Sequence, residues 1–392
     1  MTSALMSNYG TPELEFDHGK GSYLYTQDGS AYLDFTSGIA VNCLGHCHPH
    51  LIESLNSQAH KSWHTSNLFR IPQAERLAKR LVELSFADRV FFSNSGTEAI
   101  EAGFKMMRRY HYSKGNGERV RIIALSQSFH GRTLAPIAAS ANPAHCEGFL
   151  TGDAGFDQVP FGDIEALQAA ISDKTAGVIL EPIQGEGGIR VASKEYLQQI
   201  RELCDSKGIL LMFDEVQSGV GRSGHLYAYE ASGVVPDLLA SAKGLGGGFP
   251  IGAVLAKESV AQPMVAGTHG STFGGNPLAT AVGNGVLDIV AKPEFLTQVQ
   301  QRSTQLQSGL QRICEDYPSI VSKHSGMGLM IGLYCVINNL ELNSALTKAK
   351  LLTVKAGANS IRLLPPLNVS PQEIDSALDI LRQCCEQLSQ KK

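Results

Sequence analysis

Three short stretches carry residue types that could do chemistry together. The first is FFSNSGTEA, Phe91 to Ala99, where a strand ends, Asn94-Ser95-Gly96 turns, and a helix opens on the capping-box pair Ser95 and Glu98. Free N–H groups at a helix start, backed by the helix dipole, can hold a phosphate. Gly96 would let the backbone approach closely and Thr97 adds a hydroxyl, although an ordinary capped helix reads the same way. The second is Asp214 in ILLMFDEVQSGVGRSG, at the end of an apolar run. A carboxylate there, with Glu215 beside it, is costly unless it meets a cation or metal, or caps the next turn. The third is Lys243 in LLASAKGLGGGFP, twenty-nine residues further on and again at a strand end. A surface lysine is the plain alternative, but Gly244, Gly246, Gly247 and Gly248 favour a ligand packed over it. The order is not that of a P-loop, and no GxGxxG opens the first βα unit. A phosphate cup, a strand-end carboxylate and a strand-end lysine together suit pyridoxal phosphate. The lysine would form the Schiff base, and the carboxylate would keep the pyridine nitrogen protonated.

These residues need a scaffold that aligns strand ends. Near-continuous apolar runs at Arg89–Phe92, Arg121–Leu125, Gly177–Leu180, Ile209–Phe213, Leu238–Ser241 and Ile251–Leu255 read as strands covered on both faces. Amphipathic helices at Glu75–Leu84, Glu98–Arg109 and Lys194–Ser206 alternate with them, which predicts a doubly wound α/β unit. Such sheets bind ligands beyond the carboxyl ends of their strands, where Asp214 and Lys243 stand. Gly21 to Phe35 reads as a meander turning at Asp28-Gly29, and helices Phe295–Cys314 and Pro371–Leu388 lie near the other end. The expected division is a large unit over 49–285 and a smaller α+β unit built from 1–48 and 286–392.

Composition narrows the class. The 392 residues are 43% hydrophobic and 18% charged, enough for a substantial core and about two domains. Net charge is −4 with no basic stripe, which argues against a nucleic-acid partner. No apolar stretch reaches the ~18 residues of a membrane span, and MTSALMSNYGTPELEF lacks a signal-peptide pattern, so a cytoplasmic protein is expected. The eight cysteines show no CxxC spacing and read as free buried thiols. His46, Cys47, His48 and His50 in GHCHPH resemble a metal site, but Pro49 keeps them off one helical face and no second cluster adds ligands. No metal is expected. Trp63 and His64 could line a substrate mouth or pack in the core.

DEVQSGVGRSG, then SAKGLGGGFPIGA, then HGSTFGGNP resemble, in order and spacing, the class-III pyridoxal-phosphate aminotransferases of fold type I. The resemblance runs from about Gly21 to Asn368, and DFTSGIAVNCLGHCHP and WHTSNLF look most like the acetylornithine aminotransferases. It implies that Lys243 bonds the cofactor and then moves the substrate proton, and that Asp214 pairs with the pyridinium nitrogen. Glu215 would belong to the cofactor site, Val216 would pack on the ring, Gln217 would lie near the ring hydroxyl, and Phe129 would stack. Gly96 and Thr97 would hold the phosphate, and Thr272 would reach the phosphate of a neighbouring subunit, which implies a homodimer with shared active sites. Arg132 in SFHGRT and Arg362 in SIRLLPPL would read substrate carboxylates, as a guanidinium fork can. Glu186 would pair with Arg362 when the donor brings no carboxylate there, and Ser271 would touch an acylornithine donor.

The implied reaction moves the terminal amine of N2-acetyl-L-ornithine to 2-oxoglutarate, a step of arginine biosynthesis. Ornithine, succinylornithine, succinyldiaminopimelate and 4-aminobutyrate remain open as donors. So do a 2,1-aminomutase on the same fold and a cofactor-binding regulator, although no DNA-binding extension is evident.

Overall fold

Runs that are apolar on both sides can bury both faces only between layers of helix. The computed structural model, which describes residues 4–10, 12–149 and 153–390, has this layered arrangement. Three short strands come first: β1 (His18–Lys20), β2 (Tyr23–Tyr25) and β3 (Ala31–Asp34). The central sheet begins with β4 (Arg89–Ser93), β5 (Arg121–Leu125), β6 (Phe156–Val159) and β7 (Thr175–Leu180). A small hairpin, β8 (Ile183–Gln184) and β9 (Arg190–Val191), intervenes. The sheet then continues with β10 (Leu210–Asp214), β11 (Leu238–Ser241) and β12 (Gly252–Ala256). Its order is β4-β12-β11-β10-β7-β5-β6, parallel throughout except for the two pairings of β12.

Six of these strands match the apolar runs to within two residues at each end. β6 was not expected, because its sequence FDQV is half polar, as suits an edge strand with one neighbour. Strand alternation divides the core. Ile122, Met212 and Ala240 face the helix Gly96–Ser113 and pack with its Ile100, Phe104 and Met107. Ile123, Leu211 and Leu239 face the other way, into a cluster with Leu197 and Ile200 of the helix Lys194–Lys207.

The termini meet. β13 (Val321–Met327), β14 (Met330–Cys335), β16 (Val354–Ala356) and β17 (Ser360–Leu363) form a sheet of order β13-β14-β17-β16. Between them in the chain, β15 (Leu351–Leu352) joins β3 in parallel, Leu351 opposite Leu33, so the N-terminal meander is completed by a C-terminal strand. Asp28-Gly29 makes the β2–β3 turn, with Gly29 at φ 80° donating its N–H to Thr26. Helices Pro293–Asp316 and Pro371–Ser389 cover this part, the latter closed by a full capping box of Ser370 and Glu373. The division expected after 285 falls inside a continuous helix, Pro277–Val290.

Register places the chemistry. Leu180 lies opposite Phe213, and Asp214 opposite Ala240, so β7, β10 and β11 end side by side. Among the described residues, no helix is long and apolar enough to cross a membrane.

Candidate active site

A cavity of about 410 Å³ opens beyond those strand ends. Asp214 is the last residue of β10 and is almost fully buried. His130 Nδ1 lies 2.7 Å from Asp214 Oδ2, so the ring N–H donates to the carboxylate, and Val216 N–H donates to Oδ1 at 3.0 Å. Lys243 follows two residues after β11, with φ 45°, a left-handed conformation that costs a non-glycine residue energy and marks a constrained position. Burial brings its amine down to about 8. Glu186 opposes that shift, Arg362 adds to it, and Asp214 and Glu181 oppose it more weakly. A lysine near that value holds a useful fraction of free amine at neutral pH, which a nucleophile requires.

On the cavity wall, Ser95 caps the helix Gly96–Ser113, its Oγ accepting from Glu98 N–H. Glu98 reaches back to Asn94 N–H at 2.6 Å. The first N–H groups of a helix have no intrahelical acceptor, so those of Gly96 and Thr97 suit an anion there. Space is tight. A Cβ on Gly96 would stand 2.7 Å from Val216 Cγ1, and one on Gly131, at φ 132°, would collide with Thr97. Thr97 Oγ1 is held 3.0 Å from Thr133 Oγ1, which donates to Glu101.

Arg362, in β17, is 1% exposed and forms a two-point pair with Glu186, Nη1–Oε1 2.6 Å and Nη2–Oε2 3.0 Å. Its Nη1 also donates to Gln217 Oε1 at 3.2 Å. Arg132 is exposed, with its guanidinium 5.4 Å from the centre of the Phe129 ring. It lies where the cavity adjoins a second hollow of about 720 Å³ that also touches Ser128, Asn142, His145 and Glu186. Burial, reinforced by Arg132, keeps His145 below the ordinary histidine range.

The expected residues Gly96, Thr97, Phe129, Arg132, Asp214, Val216, Gln217 and Lys243 all line the one cavity. Glu186 and Arg362 join it through Gln217. Glu215 does not belong to it. Its side chain leaves the chain on the other side from Asp214, and its carboxylate accepts from the N–H groups of Ala228 and Tyr229 and from the Ser218 hydroxyl. Burial pushes that carboxyl up to about 8. Ser271 and Thr272 do not line that cavity; Ser271 borders another hollow with Asn67, whose side chain donates to its carbonyl. Ser271 Oγ accepts from Asn94 and Gly274. Of the GHCHPH side chains, His46 meets Asp34 at 2.8 Å and His50 meets Asp288 at 3.0 Å, so they diverge. Cys47 is exposed and Cys146 half-buried, while the other six free thiols are buried.

Two residues escaped the sequence reading. His130 carries no local signal beyond being polar. Glu181 follows the apolar run ending at Leu180, the same signal that singled out Asp214.

The site fits pyridoxal phosphate on its own geometry: a buried lysine, a buried carboxylate held by an imidazole, and a glycine-floored helix start around one cavity. His130 Nε2 is buried with no partner among the described residues. Fold and site together define a fold type I pyridoxal-phosphate enzyme. Residues 6–385 match the class-III aminotransferases, and the chain belongs to that family. It is 52% identical to the acetylornithine aminotransferase of Brucella melitensis, over 98% of this chain and 96% of that one. The crystal structure of N-acetylornithine aminotransferase from Stenotrophomonas maltophilia superposes with a TM-score of 0.86 at 36% identity, covering 98% of this chain and 99% of that one. An ornithine aminotransferase structure from Toxoplasma gondii gives 0.95 at 30% identity, covering 99% and 94%.

Proposed function

We propose that this aminotransferase takes the terminal amine of N2-acetyl-L-ornithine and delivers it to 2-oxoglutarate. The products are N-acetyl-L-glutamate 5-semialdehyde and L-glutamate, a step of arginine biosynthesis. Full-length similarity to acetylornithine aminotransferases supports the donor. The observation that carries the reading is the pairing of buried Arg362 with half-buried Glu186 beside a lysine whose amine sits near 8. Such a pair opens for a substrate with a carboxylate at that end and stays closed for one without it.

Each residue then has a task. Gly96 and Thr97 would hold the cofactor phosphate, Val216 and Phe129 would flank its ring, and Gln217 would serve the ring hydroxyl. Asp214, oriented by His130, would pair with the ring nitrogen. Bound pyridoxal phosphate supplies an electron sink for the charge left when the substrate's C–H proton departs. Lys243 Nζ takes that proton and returns it, and a base held beside the reacting carbon needs no diffusive encounter. Arg132 takes the donor's α-carboxylate. Arg362 takes a carboxylate of 2-oxoglutarate once Glu186 swings aside, and Glu186 neutralises Arg362 while the donor is bound.

A homodimer belongs to this reading, with Thr272 serving the neighbouring site and Ser271 touching its donor. Neither residue lines the cavity of its own chain, which supports it. A large unit and a smaller one from both termini belong to this reading, supported by the pairing of β3 with β15, with the second boundary past the helix Pro277–Val290 and not at 285.

The test follows the cofactor's absorbance in purified protein as single donors are added without an acceptor. N-acetylornithine is expected to convert it fastest, ahead of ornithine, succinyldiaminopimelate and 4-aminobutyrate. A faster rival would overturn the donor while leaving the aminotransferase. Failure of every donor, glutamate included, would overturn turnover itself.

A further inference from the structure

Glu181 leaves β7 one residue after Leu180, beside β10 and its terminal Asp214. It is 5% exposed and lines the cavity with Lys243. Each of its carboxylate oxygens accepts one backbone N–H, Oε1 from Phe129 at 2.8 Å and Oε2 from Gly185 at 2.9 Å. The donors lie on different segments. Phe129 opens the stretch that reaches Arg132, and Gly185 precedes Glu186, the partner of Arg362. The turn at Gly185 packs closely on Gln217: a Cβ there would stand 2.6 Å from Gln217 Oε1, the oxygen that accepts from Arg362. A shift of a few tenths of an ångström in that turn would disturb the Gln217–Arg362–Glu186 contacts together.

We propose that Glu181 is a positioning residue, a brace between the Phe129–Arg132 segment and the Gly185–Glu186 turn that sets the spacing of the two carboxylate-reading arginines. The inference rests on the reading of Arg132 and Arg362 as substrate sites. The brace is strongest with the carboxylate, which accepts with charge at both oxygens, whereas a protonated carboxyl carries an O–H on one of them and is a poorer acceptor there. Burial, then Asp214, raises this carboxyl to about 7, against the opposing effects of His130 and the two N–H bonds; Lys243 also faces it. The brace therefore loosens as pH falls below that value.

Glu181→Gln keeps length and shape but leaves one N–H facing an amide NH2. The probe is glutarate, a dicarboxylate that cannot be transaminated, titrated calorimetrically into the cofactor-loaded protein. At pH 8 the variant should bind glutarate at least tenfold more weakly and show a matching rise in KM for the oxo-acid acceptor. Its kcat, and the apoprotein's affinity for pyridoxal phosphate, should stay within threefold. Wild-type affinity for glutarate should fall between pH 8 and pH 6, and that fall should vanish in the variant. Glutarate affinity within twofold of wild type at pH 8, or a loss confined to the cofactor, overturns the proposal. Should the variant fail to fold, a flat wild-type profile between pH 8 and pH 6 overturns it and a falling one upholds it. Glutarate binding without turnover would fault the reaction and spare the brace, whereas no glutarate binding to wild type would sink the arginine reading and the brace with it.

Discussion

Replacing Glu186 with alanine tests the substrate switch most directly. Arg362 would keep only Gln217 at 3.2 Å, with its Nε already unpartnered among the described residues. Opposite charges about 4 Å apart attract by about 4 kcal/mol at an effective dielectric near 20. The Glu186 side chain is 36% exposed, and solvent screening takes roughly half of that, leaving about 2 kcal/mol. An incoming carboxylate must now displace Glu186 against that attraction. In the variant it need not, so the dissociation constant for glutarate and the acceptor's KM should both fall by roughly thirtyfold, at 1.4 kcal/mol per decade. N-acetylornithine would meet an unpaired guanidinium instead, and its kcat/KM should drop. The melting midpoint should fall as well, because a buried cation has lost its anion. Calorimetry with glutarate, steady-state kinetics with each substrate and thermal melts read these effects separately. Unchanged glutarate affinity, with Arg362 still required for acceptor binding, would refute the switch.

Other outcomes follow from single contacts. Lys243→Ala should abolish turnover, and borohydride reduction should leave no cofactor mass on the chain; activity retained would remove Lys243 from the mechanism. Asp214→Ala should lower kcat severely without unfolding the protein, checked by kinetics beside circular dichroism. Gly131→Ala should weaken pyridoxal phosphate binding to the apoprotein by tenfold or more, since the new Cβ meets Thr97 in a backbone conformation that disfavours it. Glu215, raised to about 8 by burial, holds its proton more tightly folded than unfolded. Its contribution to stability is full below its ordinary range, near 4.5, and is lost as pH rises toward 8. Melts at pH 5.5 and 8 should show that loss in wild type and a smaller one in Glu215→Gln.

Local sequence carried the sheet well because its strands are buried on both faces. Apolar runs such as VIL before Glu181 and LLMF before Asp214 can hardly be anything else between turn residues. β6 broke the rule, being an edge strand that tolerates Asp157 and Gln158. Glu215 shows where adjacency misleads: the residue beside a catalytic carboxylate points the other way and closes a loop through Ala228 and Tyr229. Arg362 and Glu186 stand 176 positions apart, and no periodicity couples them. Only a resemblance to known proteins could have brought them together on paper. His130 was hidden for the same reason, since its partner Asp214 lies 84 positions away.

The chemistry and the selectivity are built by different parts of the chain. β7, β10 and β11 are adjacent and parallel, strands about 4.8 Å apart, so the residues at their carboxyl ends emerge in a row. Glu181, Asp214 and Lys243 are those residues, two acids and an amine crowded into one buried edge. Burial brings the amine down to about 8 against the pull of the neighbouring acids, and burial with the Asp214 charge brings Glu181 up to about 7. This row follows from strand order, and any fold with these strand ends would have it. Choice of substrate follows from β17, which carries Arg362 in from the C-terminal sheet, and from the turn of the β8–β9 hairpin, which presents Glu186 to it. Changes of donor should therefore come from residues on that turn, on β17 and around Arg132. Changes at Asp214 and Lys243 should alter rate and cofactor retention for every donor alike, whereas Glu181, tied to the Gly185 turn, belongs with the selectivity.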